Sequence, residues 1–184
     1  MDLYTNWVGV AAGLVAFASL FFPWFTIELW TQNLSNTMSF TASLYQLTAT
    51  VEGVTKSIFL IVWFNASTFV LMLTAGVICL LGSRSSGKKG MILFVASIVL
   101  AAASMVIFAN GLVNSDFAVE SLNPGYAISK FPDGSFRMSA EEYIQYSYRY
   151  SWAIGIGFWL ALLTVILALM SAFFSRKLKL KVDA

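Results

Sequence analysis

Long uncharged runs alternate along this chain with short mixed segments. Residues 7–25, 57–82, 91–113 and 150–175 hold no Asp, Glu, Lys or Arg. About 20 apolar residues in a helix cross the roughly 30 Å hydrocarbon core of a bilayer. Each run is about that long or longer, so four membrane spans are predicted. Residues 83–90, with Ser, Gly and basic side chains, read as a short turn that makes the second and third spans antiparallel neighbours. The first run closes on Phe21-Phe22-Pro23-Trp24-Phe25. Proline disfavours helical geometry at Phe22, and aromatic side chains suit the headgroup zone, so the membrane exit is placed there.

The segments between runs, 26–56 and 114–149, follow a different period. Thr26-Ile27-Glu28-Leu29-Trp30-Thr31 alternates in steps of two, Asn33-Leu34-Ser35-Asn36 supplies turn formers, and Met38 to Tyr45 alternates again. This predicts a β-hairpin whose apolar face is Ile27, Leu29, Met38, Phe40, Ala42 and Leu44. In the second loop, Pro132-Asp133-Gly134 marks a turn between Ala127-Ile128-Ser129-Lys130-Phe131 and Ser135-Phe136-Arg137-Met138. An isolated hairpin is marginal in water, so the two are expected to join in one small sheet. Ser139 followed by Glu142 matches a capping box. A last helix starting at Ala140 and running unbroken through the fourth span is therefore predicted, with Tyr143, Tyr146 and Tyr150 on one face. The predicted fold is an all-α membrane protein: a single unit over residues 1–184, a four-transmembrane-helix bundle with a small external β-sheet formed by the two loops.

Composition agrees, with 59% apolar, 16% aromatic and 11% charged residues. The basic residues then orient the chain. Arg84, Lys88 and Lys89 lie between the second and third runs, and Arg176, Lys177, Lys179 and Lys181 follow the fourth. By the positive-inside rule these face the cytoplasm, as do both termini, and the protein is expected as a multi-pass component of the cell membrane. The two long loops hold four basic residues against seven acidic ones, a net of −3. The chain's overall +2 is thus a topological asymmetry and implies no nucleic-acid partner. Residues 1–6 lack Lys and Arg, and no small-residue cleavage site follows Trp24, so the first run is expected as a retained helix. The basic and apolar alternation of residues 176–181 reads as an anchor on anionic lipid.

Candidate chemistry is sparse. The chain has no His and one Cys, Cys79, which excludes an intramolecular disulfide and removes histidine acid/base chemistry and His-based metal sites. No metal or cofactor is expected. The predicted spans contain no ionisable group of the kind that ion-coupled transport needs. Their polar residues include Asn65, Thr68, Ser97, Ser104, Asn110 and Thr164, which would either cross-link helices or line a path for water or a neutral solute. Gly9 and Gly13 make a small-x-x-x-small pair, and Gly155 with Gly157 thins the fourth run, permitting close helix contact within the bundle or with another protein. Asn33-Leu34-Ser35 matches the glycosylation acceptor pattern, making Asn33 a candidate modification site.

Four spans, a first loop that opens on Phe22-Pro23-Trp24 and runs as strands to Ser43-Leu44-Tyr45, and a long last helix together resemble the claudin-like tetraspan proteins. The paired loop cysteines and the Trp-Gly-Leu-Trp segment of claudins are absent, so no claudin site residue is carried over. The resemblance implies a left-handed four-helix bundle with a small external sheet.

A non-enzymatic role is expected, as a structural, assembly or accessory subunit acting through its external loops on other membrane subunits or on itself. Trp30, Phe40, Phe131 and Phe136 are the candidate partner-binding residues. Two alternatives stay open: a small channel or carrier for a neutral solute, past Asn65 and Ser104, and an anchor subunit of a membrane enzyme complex.

Overall fold

The computed structural model of the chain describes residues 5–31, 37–51, 54–59, 63–85, 87–114, 135–139 and 147–182. In chain order these form α1 (Trp7–Phe21), β1 (Phe25–Thr31), β2 (Thr37–Ala42), β3 (Gln46–Val51), β4 (Val54–Phe59), α2 (Trp63–Ser83), α3 (Gly87–Asn114), β5 (Ser135–Ser139), β6 (Ser147–Ile154) and α4 (Ile156–Val182). Helix α1 packs on α2 and α4, and α3 packs on the same two, so the helices form a ring in chain order. The segments Trp63–Ser83, Gly87–Gly111 and Ile156–Ser175 are each long and apolar enough to cross a membrane, whereas α1, with 15 residues, is shorter.

Local chemistry explains the ends of α1. Asn6 is extended and its carboxamide oxygen accepts from the Gly9 N–H at 3.2 Å, which satisfies an orphan donor of the first turn. At the other end Pro23 holds Phe22 extended, at φ −93° and ψ 154°, and the helix stops at Phe21. Between α2 and α3 the chain turns tightly, with the Ser85 N–H on the Gly82 carbonyl at 3.0 Å. Gly87 has φ 67°, a left-handed conformation that a side chain would strain.

The bundle interior is built from small residues and aromatics. Ala12, Ala16, Ala75, Ala101, Ala161 and Ala168 are fully buried, and Phe64, Phe94 and Phe108 fill the space that they leave. Where a helix carries no bulk at the contact, its neighbour approaches closely: a Cβ on Gly13 would lie 2.8 Å from Leu80 and 3.0 Å from the Gly76 carbonyl oxygen. Gly9 sits equally close to Phe94. Both glycines thus serve contacts within this chain.

The strands form one six-stranded sheet in the order β4-β3-β2-β1-β6-β5, with every neighbouring pair antiparallel. The predicted first hairpin is present, as β1 paired with β2 from Phe25 opposite Ala42 to Trp30 opposite Thr37. Several expectations need correction. The unbroken helix from Ala140 is not formed, because Ser147–Ile154 is strand β6 and α4 begins only at Ile156. Ser139 ends β5, residues 140–146 after it lie outside the described residues, and Tyr150 lies opposite Phe136 and Leu29 within the sheet. The second span does not start at residue 57, since Ser57 belongs to β4 and α2 starts at Trp63.

One physical reason covers both errors. Tyr148, Tyr150, Trp152 and Ile154 alternate with Ser147, Arg149, Ser151 and Ala153, a strand period, yet from Tyr150 onward the strand runs without a charge into the apolar helix that follows. Averaged hydropathy cannot see the joint at Gly155. Residues 127–134, assigned to the other arm of the second hairpin, fall outside the described residues, as do Tyr143 and Tyr146. Strand β5 pairs with β6.

Candidate functional site

Sheet and helices are joined at Trp24, whose side chain is fully buried. Its indole Nε1–H donates to the Ser19 carbonyl at 2.8 Å, satisfying an acceptor in the last turn of α1. The ring lies 5.0 Å from that of Phe108 on α3 and 5.8 Å, edge-on, from that of Phe158 on α4. The backbone completes the joint: the Trp24 N–H donates to the Ala42 carbonyl at 2.8 Å, and the Gly155 and Gly157 N–H groups donate to the Trp24 and Pro23 carbonyls at 2.9 and 2.7 Å. One residue and its neighbours therefore fix α1, α3, α4 and the β1–β2 hairpin together. Gly155 and Gly157 are small because backbone occupies the space: a Cβ on Gly155 would collide with the Pro23 carbonyl, and one on Gly157 would lie 2.6 Å from the Phe22 oxygen.

Alternate strand residues share a face, so the register sorts the sheet into two sides. On one side Phe25, Ala42, Leu47 and Ile58 stand opposite one another across β1 to β4, and Ile27, Phe40 and Ala49 follow two residues on. Apart from Lys56, which stands opposite Ala49, these positions are apolar, and the side is continuous with the bundle, since Phe25 is buried in the core and Ala42 packs against it. The other side is a field of hydroxyl positions. Thr26, Thr41, Thr48 and Ser57 form its first row, and Ser135, Ser151, Glu28, Ser39, Thr50 and Thr55 form the second. A third row places Arg137 opposite Arg149, Arg149 opposite Trp30, and Trp30 opposite Thr37. Thr26, Ser39, Thr41, Thr48 and Thr50 are half-buried and Thr55 is exposed. The Thr26 hydroxyl donates to the Ala153 carbonyl at 3.3 Å, that of Thr41 to the Thr48 carbonyl at 3.4 Å, and the Thr50 and Thr55 hydroxyls pair at 3.2 Å.

This sorting separates the aromatic residues expected to bind a partner. Trp30 falls on the hydroxyl side, whereas Phe40 and Phe136 fall on the apolar side, on β2 and β5 with two strands between them. They do not make one patch. Phe131 and Asn33 lie outside the described residues.

Within the bundle the polar side chains serve the backbone. The Thr68 hydroxyl donates to the Ser104 carbonyl at 3.4 Å and that of Ser97 to the Ala75 carbonyl at 3.0 Å, both between α2 and α3. Ser104 and Thr164 donate to carbonyls of their own helices, at 2.7 and 3.0 Å. Cys79 is buried beside Ser97, its Sγ 2.9 Å from the hydroxyl oxygen. Asn65 differs: it is 1% exposed, and its Oδ1 has no hydrogen-bond partner among the described residues. Among the described residues, no three His, Cys, Asp or Glu side chains come together as a metal site requires.

The end of the bundle away from the sheet carries the α2–α3 turn with Arg84, Lys88 and Lys89, and the last turns of α4 with Arg176 to Lys181. Here Asn6 does more than cap α1. Its N–H donates to the Ser83 carbonyl at 2.8 Å, and its Nδ2 donates to the Ser171 carbonyl at 3.2 Å and lies 3.4 Å from the Ser175 hydroxyl. Asn6 and Trp24 close the bundle at its ends; the sequence marks Trp24 only as a membrane-exit aromatic and does not mark Asn6. An Asn one residue before an apolar helical run was the available signal for the first.

Comparison with known proteins finds no matching family model and no matching curated protein.

Proposed function

We propose that this is a four-span membrane protein of claudin-like architecture, with α1 as the shortest span and the sheet on the extracytoplasmic side. We read its role as that of a non-enzymatic structural or accessory subunit that uses the sheet to assemble with other membrane subunits or with a second copy. The observation that carries this reading is the Trp24 joint, which mounts a six-stranded sheet rigidly on the helix ends. A chain that served only as a lipid-embedded anchor would gain nothing from a platform locked so firmly to the bundle. At about 1.5 Å per residue, the 15 residues of α1 span roughly 22 Å, and the chain leaves the helix at Phe22 and enters β1 at Phe25. All seven basic residues of the turn and tail lie at the opposite end, which the positive-inside rule assigns to the cytoplasm.

The unpartnered Asn65 Oδ1 favours a second reading, a path for a neutral solute between α2 and its neighbours. Against it, the hydroxyls of Thr68, Ser97, Ser104 and Thr164 are already committed to backbone carbonyls. The two readings rank variants oppositely. Phe40→Ser combined with Phe136→Ser, introduced into the tagged chain, should abolish co-purification of partner subunits or of a second copy from mild detergent, whereas Asn65→Leu should leave it unchanged. Solute flux in proteoliposomes that is lost with Asn65→Leu, and association that is indifferent to Phe40 and Phe136, would refute the accessory-subunit reading.

A further inference from the structure

We propose that the α2–α3 turn is a headgroup site for a phospholipid that carries two phosphate groups, bound by Arg84, Lys88 and Lys89 at the membrane surface. The proposal rests on the reading that the helices span a bilayer, and it concerns the end of the bundle away from the sheet.

Depth identifies the ligand as a lipid. Leu81, near the end of α2, is 55% exposed and Ile92, in the second turn of α3, is 62% exposed, so both face acyl chains in a bilayer. Arg84 follows Leu81 by three residues, and Lys88 and Lys89 precede Ile92 by four and three. At about 1.5 Å per residue, all three cations lie roughly 4–6 Å past the last apolar side chains that face lipid. The polar layer on each side of the hydrocarbon core is about 5–8 Å thick, so they stand at the level of the lipid phosphates. All three side chains are exposed. Trp7, itself 75% exposed, shares this level, because the Asn6 N–H donates to the Ser83 carbonyl at 2.8 Å and ties the start of α1 to the end of α2. An indole favours that zone.

The turn also fixes where the cations stand. The Arg84 N–H donates to the Leu81 carbonyl at 3.3 Å, the Ser85 N–H to the Gly82 carbonyl at 3.0 Å, and the Ser85 hydroxyl to the Leu81 carbonyl at 3.0 Å. Gly90 is buried against Ser85, whose carbonyl oxygen a Cβ on Gly90 would strike, so Ser85 and with it Arg84 are held beside the first turn of α3. A site assembled before its ligand arrives loses little freedom on binding. Three cations at one depth on one turn favour two phosphates over one, since each phosphate adds charge-assisted hydrogen bonds. The tail is built differently. By the same rise, Lys177, Lys179 and Lys181 follow the exposed Phe174 along α4 at roughly 4–10 Å, strung through and past the phosphate layer.

The test uses the purified full-length chain in nanodiscs of zwitterionic lipid doped, at equal total negative charge, with cardiolipin, which has two phosphates, or with phosphatidylglycerol, which has one. Native mass spectrometry counts the lipid that stays on the chain after release into mild detergent. Cardiolipin should be retained at least fivefold more often than phosphatidylglycerol, and Arg84→Gln with Lys88→Gln and Lys89→Gln should cut that retention at least fivefold. Lys177→Gln with Lys179→Gln and Lys181→Gln removes the same charge from the tail and should change it less than twofold. The variants' melting curves should coincide with that of the parent. If the turn variant melts early, Lys88→Gln with Lys89→Gln takes its place and should cut retention at least threefold. Equal losses from the turn and tail variants would reduce the effect to general charge and overturn the proposal. Equal retention of the two lipids would overturn it as well, and displacement of cardiolipin by inorganic pyrophosphate at equal concentration would overturn it in favour of a soluble anion. Because retention is read on the isolated chain, its outcome is independent of whether partner subunits co-purify. Failure of the chain to enter the nanodisc would refute the spanning reading, and the proposal with it.

Discussion

Replacing Gly155 with Ala should unlock the sheet from the helices. A methyl carbon there collides with the carbonyl group of Pro23, a backbone atom that no rotamer change can move aside. Relief requires the β6–α4 joint to back away from residues 23 and 24. That movement stretches two hydrogen bonds, Gly155 N–H to the Trp24 carbonyl at 2.9 Å and Gly157 N–H to the Pro23 carbonyl at 2.7 Å. Each bond contributes about 1 kcal/mol net, and a buried carbonyl left without a partner costs a further ~1–3 kcal/mol. The sum is about 3–5 kcal/mol. Gly76→Ala is the reference, because its added Cβ would meet Phe17 and Ala16 at 3.1 and 3.2 Å, both side-chain contacts. Small shifts relieve those, and the gain of about 1 kcal/mol for Ala over Gly inside a helix offsets them. At roughly 2–4 °C per kcal/mol, Gly155→Ala should lower the melting temperature in mild detergent by about 10 °C and Gly76→Ala by less than about 3 °C. Near-ultraviolet circular dichroism reports the packing of the chain's six tryptophans, Trp24 among them. Melting temperatures for the two variants within about 2 °C of each other would refute the packing account of this joint.

Asn6→Ala should cost about 2–3 kcal/mol in thermal unfolding, because it removes the α1 cap and the bonds to α4 together, whereas Asn6→Ser should keep the cap and recover about half. Gly87→Val should destabilise by about 1–3 kcal/mol from backbone strain at φ 67°, measured against Gly76→Ala in the same detergent. Asn65→Leu should be neutral or stabilising by up to about 1 kcal/mol, since it deletes a buried acceptor that has no partner; a loss above 2 kcal/mol would reveal a bound donor at that site. For orientation, a membrane-impermeant thiol reagent should label Ser35→Cys and Ser135→Cys on intact cells and Ser85→Cys only after permeabilisation, with the buried native Cys79 silent. The reverse pattern would invert the topology.

Composition and pattern alone determined that nearly half of this chain is apolar helix, where the α2–α3 turn falls, and that β1 pairs with β2. These are local properties: hydropathy sums over neighbours, proline acts on the residue before it, and a short turn joins adjacent strands. Tertiary structure decided what depends on distant residues. Ser147–Ile154 reads as the start of an apolar helix until β1 offers a partner at Phe25 to Thr31 and the strand period wins. Val54–Phe59 is claimed in the same way by β3, at the expense of the predicted second span. The separation of Trp30 from Phe40 and Phe136 follows from pairing register, because a strand shifted by one residue exchanges its faces. From sequence Trp24 is a headgroup aromatic, and Asn6 carries no assignment of its own. Their importance comes from backbone carbonyls of Ser19 and Ser171, groups present in every sequence, which only the packed chain brings within reach.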